Sequence, residues 1–113
     1  MTVLKIRMHR RYAARGLIRI QRADGTGVRG LMIELSAHGV RISNLRADGE
    51  ACELAEGERV TVTLEDEHEL EGLVRWSHDH IAAVRLDEPL HPSRMARILD
   101  IARPDDELRR YAT

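Results

Sequence analysis

Hydrophobic and polar residues alternate over much of the first 86 residues, with the period of two that is typical of half-buried β-strands. The clearest example is residues 60–64 (VTVTL), where valine and leucine alternate with threonine. Further runs that predict strands lie at residues 16–22, 30–35, 39–43, 70–76 and 81–86. Turn-forming segments such as Asp24-Gly25 and residues 77–80 separate them. Short strands joined by turns favour an antiparallel barrel or sandwich over alternating strands and helices.

The period changes after Pro89 to that of a helix. Pro92 suits a first helical turn, and Pro104 would end the helix. The residues that would share its apolar face are Met95, Ile98, Leu99 and Ala102. Closing about six strands into a barrel would remove exposed edges, with the helix over one mouth or side. We therefore predict a mainly β fold, a six-stranded antiparallel barrel with a C-terminal α-helix.

The predicted organisation has three parts. Residues 1–15 form a flexible N-terminal segment, residues 16–103 the barrel and helix, and residues 104–113 a polar tail. The 113 residues, 42% of them hydrophobic and 33% charged, suit one globular domain. Cys52 is the only cysteine, which excludes an intrachain disulfide and favours a reducing compartment. With no apolar run of membrane-spanning length and no signal-peptide pattern, we expect a cytoplasmic protein without membrane insertion.

The net charge of −1 hides a strong asymmetry. Residues 1–22 contain seven basic side chains and no acidic one, whereas residues 47–71 contain ten acidic side chains and one basic. A protein that binds DNA or RNA usually carries a basic excess over a whole face. The local positive charge here favours a small anion as ligand instead.

Three arginines are the first candidate site: Arg10, Arg11 and Arg15, in the segment RRYAAR. The guanidinium group is a planar fork of donors that matches phosphate oxygens and the O6 and N7 acceptors of guanine. Taken alone, the cluster is also compatible with a solvated basic terminus.

The second candidate is the segment ELSAHG at residues 34–39, at a break between two strands. Glu34 can accept hydrogen bonds from N1–H and N2–H of guanine, and the hydroxyl of Ser36 can donate or accept. Gly39 allows a positive φ or a close backbone approach to a ligand. The alternative is an ordinary loop in which Ser36 satisfies backbone groups and Gly39 serves a turn or bulge.

In this order and spacing, the two segments resemble the PilZ domain family, whose pattern is RxxxR followed by [D/N]xSxxG. The segments GLVRW at 72–76 and AVRL at 83–86 are similar to the closing hairpin of that family. The resemblance covers roughly residues 8–100. It implies a six-stranded barrel that binds cyclic di-GMP, with no cofactor and no enzymatic activity.

The resemblance also implies roles for the matched residues. Arg11 and Arg15 would form the arginine pair, with Arg10 as an additional arginine, and would hold phosphate and the Hoogsteen edge of guanine. Ser36 and Gly39 match the second motif. Glu34 departs from it, because glutamate carries the carboxylate about 1.5 Å further out than the Asp or Asn of the family.

Two functions remain open at this point. One is a cyclic di-GMP receptor that changes conformation on binding and signals to a protein partner. The other is a degenerate domain that binds no nucleotide and acts as a protein-interaction module.

Other kinds of site are less well supported by the sequence. His78 and His80 lack structural-zinc spacing, so we expect no metal site. Ser36 and His38 have no nucleophile-elbow pattern around them, so we expect no hydrolase. Trp76 has the phase of Leu70 and Val74 and is predicted to be a core residue.

Overall fold

The structure, a computed structural model, describes residues 11–101. It contains seven strands and one helix: β1 (Tyr12–Arg22), β2 (Gly27–Leu35), β3 (Gly39–Ala47), β4 (Glu50–Ala51), β5 (Arg59–Thr63), β6 (Glu69–His78), β7 (Ile81–Leu86) and α1 (Pro92–Ile101). The six strands predicted from the alternation are all present, and the short β4 is an addition to them.

The strands form a closed antiparallel barrel. Their order is β2-β1-β5-β6-β7-β3, and the pairing of β3 with β2 completes the ring. The two-residue strand β4 pairs only with the outer end of β3. The prediction of a mainly β, six-stranded antiparallel barrel with a C-terminal helix is therefore confirmed.

The first strand begins earlier than predicted. It starts at Tyr12 rather than at residue 16, and its first residues already pair with the end of β2: Tyr12 faces Leu35 and Ala13 faces Glu34. Arg15 accordingly lies within β1 and not in a loop before it. Residues 12–15 were assigned to the flexible segment because the alternation was read from Gly16 onward. In the structure their burial alternates in phase with the rest of β1, although the register with β2 is irregular between Ala13 and Gly16.

The core fills the inside of the barrel with aliphatic side chains. On β1, for example, the inward positions include Ile18 and Ile20, and the residues between them are exposed. Each of the six barrel strands contributes alternate positions to the interior, so the buried face is continuous around the ring. Since the chain has no phenylalanine, packing depends on leucine, isoleucine, valine and methionine.

Helix α1 packs against this core by one face. Ile98 is fully buried, and Met95 and Leu99 are partly buried against the same cluster. The side chain of His91 accepts a hydrogen bond from the backbone N–H of Ser93 at 3.1 Å, which caps the first turn. The predicted start at Pro92 agrees with the structure, whereas the predicted roles of Ala102 and Pro104 lie outside the described residues.

Candidate anion-binding site

The turn between β2 and β3 is held by hydrogen bonds of Ser36. Its backbone N–H donates to the carbonyl oxygen of Gly39 at 2.9 Å, and its hydroxyl accepts from the N–H of His38 at 3.3 Å. The same hydroxyl lies 3.5 Å from the Gly39 carbonyl oxygen, to which it donates. Serine side chains commonly form such hydrogen bonds with nearby backbone groups in turns. The serine of the motif therefore has a structural role in the turn.

Backbone hydrogen bonds from the end of the neighbouring strand β7 and the segment after it fix the position of the turn. The carbonyl oxygens of Ala37 and His38 accept hydrogen bonds from the N–H groups of Leu90 and Leu86, at 2.8 and 2.9 Å. Because these bonds connect the turn to the end of β7 and to the segment before α1, the turn is a fixed wall for any ligand beside it.

Gly39 is required for a close approach of two strands. Its φ is not positive, contrary to one of the two reasons expected for a glycine at this position. A Cβ at Gly39 would lie only 3.0 Å from the carbonyl oxygen of Val84 on β7. The glycine thus lets β3 and β7 pair closely where the turn ends and β3 begins.

A row of cross-strand neighbours runs over the outside of the barrel next to this turn. The pairings that define it, from β1 through β2, β3 and β7 to β6, are Ala13↔Glu34, Glu34↔Arg41, Arg41↔Ala83 and Ala83↔Trp76. Neighbours in such a row have Cβ atoms about 4.5–5.5 Å apart. Side chains that are far apart in the sequence are in this way brought to one strip of surface.

Arg41 contacts two other members of that strip, Glu34 and Trp76. Its Nε lies 3.9 Å from Oε1 of Glu34, and its guanidinium carbon lies 5.6 Å from the ring centroid of Trp76. The first contact is an ion pair at the outer limit of the usual range, and the second has the geometry of a cation–π contact. Glu34 therefore already has a cationic neighbour before any ligand binds.

Trp76 lies on the outer surface and not in the core, so that prediction is wrong. The register of β6 with β7 shifts between Val74 and Trp76, and this irregularity moves the tryptophan out of phase with the buried Leu70 and Val74. Its half-buried ring stacks on that of His78, with centroids 4.8 Å apart and planes 25° apart. The site thereby gains a flat aromatic surface.

These residues surround a shallow cleft of about 230 Å³, which we call the arginine cleft. Its polar lining comes from Glu34, Ser36 and His38 and from four arginines, namely Arg11, Arg41, Arg75 and Arg85. With one carboxylate among four guanidinium groups, the cleft is strongly positive. Such a surface favours an anionic ligand, and phosphate oxygens match the donor geometry of arginine.

The structure brings together most, but not all, of the predicted site residues. Arg11, Glu34, Ser36 and Gly39 line the arginine cleft. Within the described residues, Arg15 is exposed on β1 and is not part of the cleft lining. Arg10 lies outside the described residues.

Three arginines of the cleft were not predicted as site residues: Arg41, Arg75 and Arg85. They are outward-facing positions on β3, β6 and β7, which in the sequence are indistinguishable from ordinary solvated residues. Only their position in the sequence could have indicated that they belong to the site. Arg41 closely follows the turn, and Arg75 and Arg85 lie in the segments that resemble the closing hairpin of the family.

The part of the chain that the structure describes contains neither a metal-binding cluster nor a membrane-spanning helix. Between residues 11 and 101, no three His, Cys, Asp or Glu side chains are arranged so as to hold a metal ion. The described helix is too short to cross a membrane. His78 and His80 lie at the β6–β7 hairpin, where Asp79 and His80 form a two-residue turn with positive φ values of 55° and 62°.

The closed antiparallel barrel, with an arginine-lined cleft beside one turn, defines a small β-barrel domain with a candidate anion site. The sequence profile of the PilZ domain matches residues 5–102, and the chain belongs to this family. Its fold resembles the crystal structure of the PilZ domain of CeSA from a cellulose-synthesizing bacterium, with a TM-score of 0.57 and 16% sequence identity. That match covers 80% of this chain and 96% of the other. No curated protein gives a significant sequence match.

PilZ domains are known as a family of cyclic di-GMP receptors, and they are binding or adaptor domains rather than enzymes.

Proposed function

We propose that this chain is a non-enzymatic receptor for cyclic di-GMP, which it binds at the arginine cleft. The observation that carries the proposal is that Arg11 of the first motif lines one cleft together with Glu34, Ser36 and Gly39 of the second. Membership of the PilZ family supports cyclic di-GMP as the ligand.

The chemistry of the cleft fits a cyclic dinucleotide. Arginine side chains pair with phosphate oxygens and with O6 and N7 of guanine, and the carboxylate of Glu34 can accept from N1–H and N2–H on the other edge of the base. The half-buried ring of Trp76 adds an aromatic surface beside these groups.

The ligand would extend beyond the cleft itself. A volume of about 230 Å³ is below the roughly 300–1,000 Å³ of pockets that enclose a whole small molecule. In the proposal, one guanine and its phosphate occupy the cleft, and the remainder of the ligand reaches Arg15 on β1 and Arg10 ahead of it.

The output of the receptor would be a change of conformation in the segment before β1. Arg15 is already part of the sheet, so the residues that respond to the ligand are those that precede Tyr12. Their new position would present a surface to a protein partner. The cytoplasm, expected from the single cysteine, is the compartment in which the receptor would act.

Isothermal titration calorimetry with cyclic di-GMP tests the binding directly. A hydrogen bond to a charged group contributes about 1.5–3 kcal/mol, so Arg11→Ala should raise Kd by roughly tenfold or more. Arg97→Ala is the matched control, because Arg97 is an exposed arginine on α1 that does not line the cleft, and its Kd should equal that of the wild type. Absence of measurable binding by the wild-type chain at high micromolar ligand would reject the proposal.

The second candidate, an interaction module without a nucleotide ligand, is favoured by one observation. The carboxylate of Glu34 is paired with Arg41 at 3.9 Å, and the family motif has no glutamate at this position. For this function, the set of protein partners captured by the chain should be indifferent to added cyclic di-GMP and to Arg11→Ala. A partner set that changes with either would exclude it.

A further inference from the structure

Arg41 and Glu34 are two charged neighbours in the arginine cleft that are not joined by a hydrogen bond. They are paired in register across β2 and β3, and both side chains are partly buried. Nε of Arg41 lies 3.9 Å from Oε1 of Glu34, beyond the roughly 2.7–3.2 Å of a hydrogen bond. Among the described residues, neither the guanidinium nor the carboxylate has another hydrogen-bond partner. The donors of the one and the acceptor oxygens of the other therefore stay available to a ligand.

The ring of Trp76 explains why this pair stays open. The guanidinium carbon of Arg41 lies 5.6 Å from the ring centroid, within the distance of about 6 Å at which a cation is attracted to an aromatic ring. The ring is itself stacked on His78, with centroids 4.8 Å apart, so its position is fixed. Attraction to Trp76 holds the guanidinium beside Glu34 without closing the ion pair. Trp76 is therefore a positioning residue that acts on the site through Arg41.

The Watson–Crick edge of guanine matches this open pair. It carries the acceptor O6 next to two donors, N1–H and N2–H. A carboxylate can accept from both donors while a guanidinium beside it donates to O6. Adenine reverses the pattern, with an amino donor in place of O6 and an acceptor at N1. In the same position, adenine would place a donor against Arg41 and an acceptor against Glu34, so neither contact would form.

We propose that Arg41, positioned by Trp76, is a specificity-determining residue of the arginine cleft and selects guanine over adenine together with Glu34. The inference rests on the proposed function and adds Arg41 and Trp76 to the residues of the two motifs. The arginines of the first motif bind phosphate and the Hoogsteen edge in that function. Arg41 uses the remaining lone pair of O6, on the Watson–Crick side of the base.

The effect of Arg41 on specificity has to be separated from the effect of its charge. Four arginines line the cleft, so removing any one of them lowers the affinity for every anion. Arg75 supplies the matched comparison, because it lines the same cleft. Among the described residues, its guanidinium makes no ion pair and no cation–π contact. Its loss changes the charge of the cleft without changing the pair that reads the base.

Calorimetric titration with cyclic di-GMP and with cyclic di-AMP tests the inference on the wild type, Arg41→Met and Arg75→Met. Each variant removes one positive charge and keeps an unbranched side chain. Arg41→Met should raise Kd for cyclic di-GMP at least about tenfold more than Arg75→Met does, which is the discrimination expected of a specific base contact. Cyclic di-AMP, which makes no hydrogen bond with Arg41, should bind equally to the two variants.

A further variant tests the positioning role of the ring. Trp76→Leu should raise Kd for cyclic di-GMP by about two- to fivefold in the wild-type background, the size expected for loss of an exposed cation–π contact. In the Arg41→Met background it should have no further effect, because the ring acts through Arg41. Circular dichroism checks that each variant keeps the fold.

The outcomes separate this inference from the proposed function. Equal weakening of cyclic di-GMP binding by Arg41→Met and Arg75→Met overturns the inference and leaves the proposed function standing. The same holds for a wild type that binds both dinucleotides equally well. A loss on Trp76→Leu that is the same in both backgrounds overturns the positioning role of the ring. A wild type that binds neither dinucleotide rejects the proposed function, and the inference with it.

Discussion

Replacing Glu34 with aspartate tests whether the acidic residue of the second motif limits nucleotide binding. In the structure, the carboxylate of Glu34 is paired with Arg41 at 3.9 Å, and their side chains are 31% and 37% exposed. An ion pair this long and this accessible contributes at most about 1 kcal/mol. A guanine that donates hydrogen bonds to the carboxylate of Glu34 has to compete with this pair.

Aspartate withdraws the carboxylate by about 1.5 Å, which takes it out of ion-pair range of Arg41. Release of a pair worth up to about 1 kcal/mol corresponds to a decrease of up to roughly fivefold in Kd. We therefore expect Glu34→Asp to bind cyclic di-GMP up to about fivefold more tightly than the wild type, as measured by calorimetric titration at constant salt.

Glu34→Gln is the matched control, because it removes the ion pair without changing the length of the side chain. Its amide offers one acceptor oxygen where the carboxylate offers two, and guanine presents donors at both N1 and N2. Glu34→Gln should therefore bind more weakly than the wild type. Equal or weaker binding by Glu34→Asp would refute the argument that the glutamate limits affinity.

Two predictions concern stability. A Cβ at Gly72 would lie 2.2 Å from the carbonyl oxygen of Arg85, so Gly72→Ala should lower Tm by at least about 5 °C in thermal circular dichroism. Gly27→Ala, with open space around the added carbon, is its control, and equal Tm values for the two variants would contradict the tight β6–β7 pairing. Partial burial raises the pKa of Glu58, but hydrogen bonds from Arg22 and a backbone amide outweigh it and hold the pKa below the ordinary value of about 4.3. This stabilisation is present above the unfolded-state pKa and is lost as the pH falls through the folded-state pKa. Glu58→Gln should therefore cost about 1–2 kcal/mol in urea denaturation at pH 7 and less near pH 4, and a cost independent of pH would contradict it.

The fold could be predicted from the sequence because one physical signal repeats along it. Alternating burial on Val60, Val62 and Leu64 recurs in the other long strands, and six such strands have few ways to cover a single core. The ends of the strands could be predicted less well from the sequence. Pairing with Leu35 and Glu34 keeps residues 12 and 13 in β1, and that support comes from β2 and not from the local sequence.

The residues of the arginine cleft also divide into those that the sequence could predict and those that it could not. Ser36 could be predicted because its role is local, in the turn between β2 and β3. Gly39 could be predicted as a glycine that allows a close approach, but its neighbour there, Val84 on β7, could not. Arg75 and Arg85 could not, because only the pairing of β6 with β7 and of β7 with β3 brings them beside that turn. Register of this kind depends on the whole barrel.

The wrong prediction for Trp76 shows how the sheet builds the cleft. In a regular strand, a residue two positions after the buried Val74 would also point inward. The register shift between Val74 and Trp76 turns the tryptophan outward, opposite Ala83, in the same row as Arg41. A bulge re-aims a side chain at the cost of regular pairing, and bulges are frequent next to functional sites. The alternation of buried and exposed residues along β6 therefore breaks at Trp76. As a result, its ring lies in the arginine cleft and not in the core.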